Sequence, residues 1–265
     1  MDLQLQGKKA VVTGGSRGIG KAIARQLARE GCDVAICARN EGPLRASAEE
    51  LARETGRKIV PVVADTMSPD DIKRFVDASA QALGGIEILI NSAARVGGTP
   101  GTIETVSDAD VLRDFEEKVL GYLRMAQAAV PYMKQAGWGR IVNVSGGAGR
   151  APGMNVSGGV RNIGVASMTR SMANGLGAFG INVTCVYPGL TVTEATLQRY
   201  AQQAQRDGKT VEQVMQAEAD RTLIKHLVSA EDVANLVAFL CSPLAIGVNG
   251  EVIAVNGGSS AEVHN

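Results

Sequence analysis

The chain has only two histidines, His226 and His264, and its four cysteines, Cys32, Cys37, Cys185 and Cys241, form no C-x-x-C pair. That scarcity argues against a histidine-rich metal site or a disulfide framework, and leaves the cysteines as core thiols among apolar neighbours. Neither charge is in surplus, Lys+Arg and Asp+Glu both standing at 27, and no basic run occurs, so no nucleic-acid partner is expected. No uninterrupted apolar segment is long enough for a bilayer, and the opening MDLQLQGKKA lacks the apolar core of a signal peptide. A soluble, cytoplasmic protein without a membrane partner is the expectation. Internal repeats and low-complexity tracts are absent too. One further absence carries chemistry: residues 145–180 contain no tyrosine and no lysine.

What is present is a rhythm of short β-type runs and longer helical stretches. KAVVTG precedes a helix at 20–30, DVAICAR one at 41–55, KIVPVVAD one at 69–83, and IEILINSA one at 108–135. RIVNVSG and INVTCVYPG follow, with a helical stretch at 162–178 between them, and EVIAVNGG closes the series after a helix at 230–241. The strand runs are almost continuously apolar, as strands covered on both faces are, which predicts a parallel sheet between helix layers. The length of 265 residues and 45% hydrophobic content fit one large α/β domain over 1–265. The breaks at 97–101 and 146–159 read as internal loops, and the more polar helical segment 194–228 as an insertion over a substrate cleft.

TGGSRGIG, Thr13 to Gly20, stands after the first strand and opens the first helix. Glycines 14, 18 and 20 allow a sharp turn, close approach of a pyrophosphate and tight helix packing, while the helix N-terminus offers free N–H groups to phosphate charge. A site selective for NAD places an acidic residue at the end of the second strand; here Ala38-Arg39-Asn40 stands there, and Arg17 lies in the glycine loop. Two guanidinium groups suit a 2′-phosphate, so NADP(H) is expected over NAD(H).

Together with Asp65 after the third strand, NSAA at 91–94, GRIVNVS at 139–145, YPGLTVTE at 187–194 and the closing NGEVIAVNGG, this motif resembles the short-chain dehydrogenase/reductase family over nearly the whole chain. The resemblance implies a Rossmann-type, doubly wound parallel sheet of about seven strands in three layers, α/β/α. It further implies assembly as a homotetramer or homodimer, and NADP(H)-dependent oxidoreductase activity on a small carbonyl or alcohol substrate. By the same resemblance Gly14, Ser16, Arg17, Gly18 and Ile19 hold the phosphates. Asp65 and Thr66 flank the adenine, and Asn91 and Ala93 the nearer ribose. Pro188, Gly189, Thr191 and Thr193 meet the nicotinamide end.

The family reacts through an Asn, a Ser, a Tyr and a Lys, because a phenol must be brought down toward neutrality by a nearby cation before it can serve as the acid. Ser145 ends the fifth strand in the serine's neighbourhood, with Gly146 where a second serine is common. Counting back from VASMTRSMANGLGAFGINV puts the tyrosine position on Gly158 and the lysine position on Asn162, and the asparagine position falls on Lys118. The candidate catalytic residues are therefore Ser145 and Lys118. Lys118 reads either as the charge lost at 162 returned to the pocket, or as a surface lysine or partner of Glu116 or Glu117. Tyr122 reads as a packing residue or a substitute acid, Tyr187 as a packing residue or one whose hydroxyl faces the cleft, and Asn155 and Ser157 as substrate ligands or turn and cap residues. His226 reads as surface, His264 as tail. The missing pair keeps two other readings open: a non-redox lyase, hydratase or decarboxylase on this scaffold, and a nucleotide-binding protein without catalysis.

Overall fold

The computed structural model describes residues 1–95 and 97–259, so His264 lies outside the described residues. The apolar runs become strands β1 (Lys9–Thr13), β2 (Asp33–Ala38), β3 (Ile59–Val63), β4 (Ile88–Asn91), β5 (Gly139–Val144), β6 (Ile181–Pro188), β7 (Thr191–Val192), β8 (Val228–Ser229) and β9 (Val252–Val255). Seven of them form one sheet in the order β3-β2-β1-β4-β5-β6-β9, and every pairing in it is parallel. The order reverses between β1 and β4, which opens a crevice at the carboxyl edge of the sheet. This is the doubly wound arrangement expected from the sequence.

The helices are α1 (Gly18–Arg29), α2 (Glu41–Thr55), α3 (Pro69–Leu83), α4 (Asp108–Phe115), α5 (Gly121–Ala136), α6 (Val156–Leu176), α7 (Glu194–Asp207), α8 (Val211–Ala219) and α9 (Ala230–Cys241). Ile23 and Leu27 of α1, Leu44 and Leu51 of α2 and Val233 and Val237 of α9 pack into one core cluster, while Phe75 of α3 and Met125 and Met133 of α5 pack into another. These clusters are the two apolar layers either side of the sheet. Capping boxes start α4 (Ser107 with Asp110), α8 (Thr210 with Gln213) and α9 (Ser229 with Asp232), which is why those helices begin where they do. Helices α7 and α8 close over a small cluster of their own, Tyr200, Ala204, Val214, Ala219 and Leu227, and β7 pairs with β8 at the two ends of this segment. No helix among the described residues is long and apolar enough to cross a membrane.

Two elements differ from the sequence reading, and both border the cleft. The helix expected over 108–135 is interrupted by a π turn at Glu116–Leu120. One extra residue in that turn brings neighbours Glu117 and Lys118 inward together, at 8% and 4% exposure. The helix expected from 162 begins instead at Val156, because the Asn155 side chain caps it, accepting from the Gly158 N–H at 3.0 Å. The cap, and a buried bond from Ser157, override the weak helix propensity of Gly158 and Gly159.

Candidate active site

The glycine loop and the NSAA segment are joined by Thr13. Its Oγ1 accepts from the Ser92 N–H at 2.9 Å and the Ala93 N–H at 3.0 Å, and donates to the Ile90 carbonyl at 3.4 Å. Gly14 then lies against Ala93 so closely that a Cβ on it would sit 3.2 Å from the Ala93 backbone, and a Cβ on Gly20 would fall 2.3 Å from the Gly14 carbonyl. At Gly18 a Cβ would stand in ordinary van der Waals contact with Thr193, its Cγ2 at 3.6 Å, so the start of α7 covers this face of the loop. Thr193 caps α7 there, accepting from the Thr196 N–H. Ser16 and Ile19 are half-buried in the same turn, and Arg17 and Arg39 both extend into solvent at its rim.

The remaining residues assigned to a nucleotide line the same edge with different exposures. Asp65 accepts from the Met67 N–H at 3.0 Å and stays half-exposed, while Thr66 is buried. Asn91 is turned inward: fully buried, its Nδ2 donates to Asn143 Oδ1 at 2.9 Å, leaving its own Oδ1 without a partner. Only its backbone stands at the strand end. Pro188 ends β6, and Gly189 and Thr191 follow, the Thr191 hydroxyl donating back to the Gly189 carbonyl. A cavity of about 330 Å³ opens beside them, lined by Gly147, Arg150, Tyr187, Pro188, Gly189 and Leu190 among others.

The chemistry candidates converge on one atom. Lys118 Nζ donates to Asn162 Oδ1 at 2.8 Å, and Ser145 Oγ lies 3.2 Å from the same oxygen and 3.2 Å from the Asn162 backbone carbonyl, with one proton to give to either. The alternative of a surface or ion-paired Lys118 does not hold. Glu116 pairs with Arg124, Glu117 lies 3.7 Å from Arg95, and among the described residues Lys118 makes no ion pair. Burial without a counter-charge, reinforced by the Arg161 cation and opposed more weakly by Glu117, lowers Lys118 to about 7. Neither tyrosine takes the acid's place. Tyr122 donates to the Val144 carbonyl at 2.9 Å and Tyr187 to the Asn162 carbonyl at 3.3 Å, and burial raises both phenols. Gly158 and Asn162 lie one turn apart on the buried face of α6.

Around Lys118 lies a charged cluster that the sequence reading missed. Asp114, fully buried, accepts from Ser157 Oγ and from the Thr99 N–H, both at 2.6 Å, and Arg95 stands 3.6 Å away. Burial alone would raise Asp114, but those hydrogen bonds and the Arg161 charge outweigh it and hold the carboxyl below its usual range. Arg161, at 3% exposure, donates to the Arg95 carbonyl at 2.6 Å, with its Nε and Nη1 unbonded. The cluster clasps the loop around Gly98, whose φ is +74° and where a Cβ would come within 2.6 Å of Asp114 Oδ2. Asn155 Nδ2 adds a bond to the Gly97 carbonyl at 2.9 Å. Asn155 and Ser157 thus serve as cap and clasp. Only part of a signal was available: positions 114 and 118 stand one turn apart on the helix expected over 108–135, whereas Glu117 turns inward beside Lys118 through the π turn.

The whole-chain comparisons agree with this architecture. The family model described as enoyl-(acyl carrier protein) reductase matches residues 14–260. The 3-oxoacyl-(acyl-carrier-protein) reductase FabG of Aquifex aeolicus is 33% identical over 97% of this chain and 99% of its own. This chain belongs to the short-chain dehydrogenase/reductase family. Among solved structures of the family, L-sorbose reductase from Gluconobacter frateurii complexed with NADPH and L-sorbose superposes with a TM-score of 0.95 at 29% identity, covering 99% of this chain and 100% of that one. A short-chain dehydrogenase from Burkholderia cenocepacia in complex with NADP gives 0.83 at 33% identity, covering 97% and 100%. Membership in the short-chain dehydrogenase/reductase family makes Thr13 a further residue of note, since it fastens the glycine loop to strand β4.

Proposed function

We propose that the protein is an NADP(H)-dependent oxidoreductase acting on a carbonyl or alcohol, with Lys118 and Ser145 serving where relatives use a Tyr-x-x-x-Lys pair. The observation that carries this is the shared acceptor: Lys118 Nζ donates to Asn162 Oδ1, itself a carbonyl oxygen, and Ser145 Oγ stands within hydrogen-bond reach of the same atom. A substrate carbonyl oxygen taking that place, with the Asn162 side chain rotated aside, receives both donors. Ser145 then polarises it and Lys118, lowered to about 7, gives up its proton as negative charge develops. The cofactor, when bound, supplies the hydride. The residues present fit it: the glycine loop leads into the N-terminus of α1, whose first-turn N–H groups suit a pyrophosphate, and the exposed Arg17 and Arg39 at its rim suit a 2′-phosphate. That NADP or NADPH occupies the related structures supports the same choice. We read 1–265 as one dinucleotide-binding domain, with 194–228 covering the substrate cleft.

Calorimetric titration with NADPH and NADH, on the wild type and on Arg39→Ala, tests the cofactor half. NADPH should bind the wild type and lose about tenfold or more in Arg39→Ala, while NADH is unaffected. NADPH oxidation against a panel of ketones and aldehydes tests the redox half, and no turnover with any of them would count against it. The buried amine without a counter-charge also supports a second, non-redox reading in which Lys118 attacks a carbonyl as a nucleophile. Borohydride trapping of an adduct on Lys118 would favour that reading.

A further inference from the structure

Glu194 Oε2 accepts a hydrogen bond from the Gly18 N–H at 3.1 Å, joining points 176 residues apart in the chain. Gly18 is the first residue of α1, so its N–H is one of the helix's unpaired donors and carries the positive end of the helix dipole. The start of α7 also covers the Cβ side of Gly18, where a Cβ would meet Thr193 Cγ2 at 3.6 Å and Glu194 Oε2 at 4.0 Å. A dinucleotide's pyrophosphate would use that same donor. The exposed Glu194 carboxylate therefore stands where cofactor phosphate charge would have to go, and among the described residues it has no cation of its own.

We infer that the Glu194 carboxylate is an internal stand-in for the cofactor pyrophosphate, one that dinucleotide binding must displace. The inference rests on the NADP(H) reading above. The displacement is a side-chain rotation and not a movement of α7, because the backbone at this point is fastened. Thr196 Oγ1 donates to the Thr191 carbonyl at 2.8 Å, the Thr193 and Thr196 hydroxyls are bonded at 3.0 Å, and β7 pairs with β8. With the carboxylate rotated into solvent, what is lost is one charge-assisted bond, and what remains near the phosphates is a negative charge that opposes them. Glu194 thus lowers cofactor affinity in two ways at one position.

The test is calorimetric titration of the full chain, wild type and Glu194→Ala, with NADPH and with adenosine 2′-monophosphate, which has the 2′-phosphate but no pyrophosphate. Glu194→Ala should bind NADPH about three- to tenfold tighter and adenosine 2′-monophosphate with unchanged affinity. Equal or weaker NADPH binding by Glu194→Ala overturns the inference. An equal gain for both ligands overturns it as well, since that is a general charge effect and not competition at Gly18. If NADPH binds neither protein, this inference and the cofactor reading fall together, whereas equal binding to both proteins leaves the cofactor reading standing. The exposed position makes misfolding of the variant a small risk, and circular dichroism with a thermal melt of the free proteins checks it.

Discussion

Lys118, on the π turn between α4 and α5, meets Asn162 of α6 with Nζ donating to Oδ1 at 2.8 Å, both side chains buried. The partner of the ammonium is a neutral amide, so the charge is desolvated without being neutralised. Asp114 and Glu117, the nearby carboxylates, are approached by Arg95 and not by Lys118. The site therefore balances its acids with guanidinium groups and leaves the amine able to lose its proton near neutral pH, which is what a general acid requires.

The first consequence is for stability. Lys118 stands near 7 in the folded chain against an ordinary 10.5, so between those values the unfolded chain holds the proton and the native chain does not. Stability should rise with pH through that window, and the burden of the buried charge is fully present below about 7. Each pH unit between the two values is worth ~1.4 kcal/mol, so Lys118→Met should be more stable than the wild type by a few kcal/mol at acid pH, with the advantage fading toward pH 10. Urea unfolding of both proteins across pH measures the difference.

Asp114 should behave in the opposite sense. Its folded carboxyl is held below the usual range by Ser157, Thr99 and Arg161, so it stabilises the fold at neutral pH and loses that contribution as pH falls through the folded value. Asp114→Ala removes the carboxylate that pairs with Arg95 and offsets the buried Arg161 charge, and releases the Thr99 N–H. A loss of about 3–5 kcal/mol is expected, together with faster amide exchange over 97–101, read by denaturation and hydrogen exchange.

A phenol placed at 158 alone should bring no activity. A Cβ there meets the Gly97 carbonyl at 3.1 Å and Asn155 Cγ at 3.2 Å, so Gly158→Tyr has to push the loop off its clasp. We expect destabilisation of about 1–3 kcal/mol and no gain in carbonyl reduction. Thermal melts and NADPH oxidation assays check both parts.

Much of this was legible in the sequence. The near-continuous apolar runs pointed to the sheet, and the glycine spacing of TGGSRGIG to the N-terminus of the first helix, because both follow from local backbone and burial rules. Ser145, Lys118 and Asn162, singled out by counting along the chain, meet in the structure. The π turn was not legible, since one inserted residue changes which side chains face inward without altering composition. Asp114 and Arg161 also escaped: their charges are matched only across α4, α6 and the 95–101 loop, and such pairing is a tertiary fact. Asn91 shows the converse, a motif residue whose side chain the fold uses to bond Asn143 within the sheet.

The most direct measurement is the pH profile of NADPH-dependent carbonyl reduction by the wild type and by Lys118→Met. The wild-type rate should fall as pH rises through about 7, as the amine loses the proton it must deliver, and Lys118→Met should lose the reaction although it is the more stable protein. A Lys118→Met enzyme with the wild-type rate and the same profile would contradict a proton-donating Lys118.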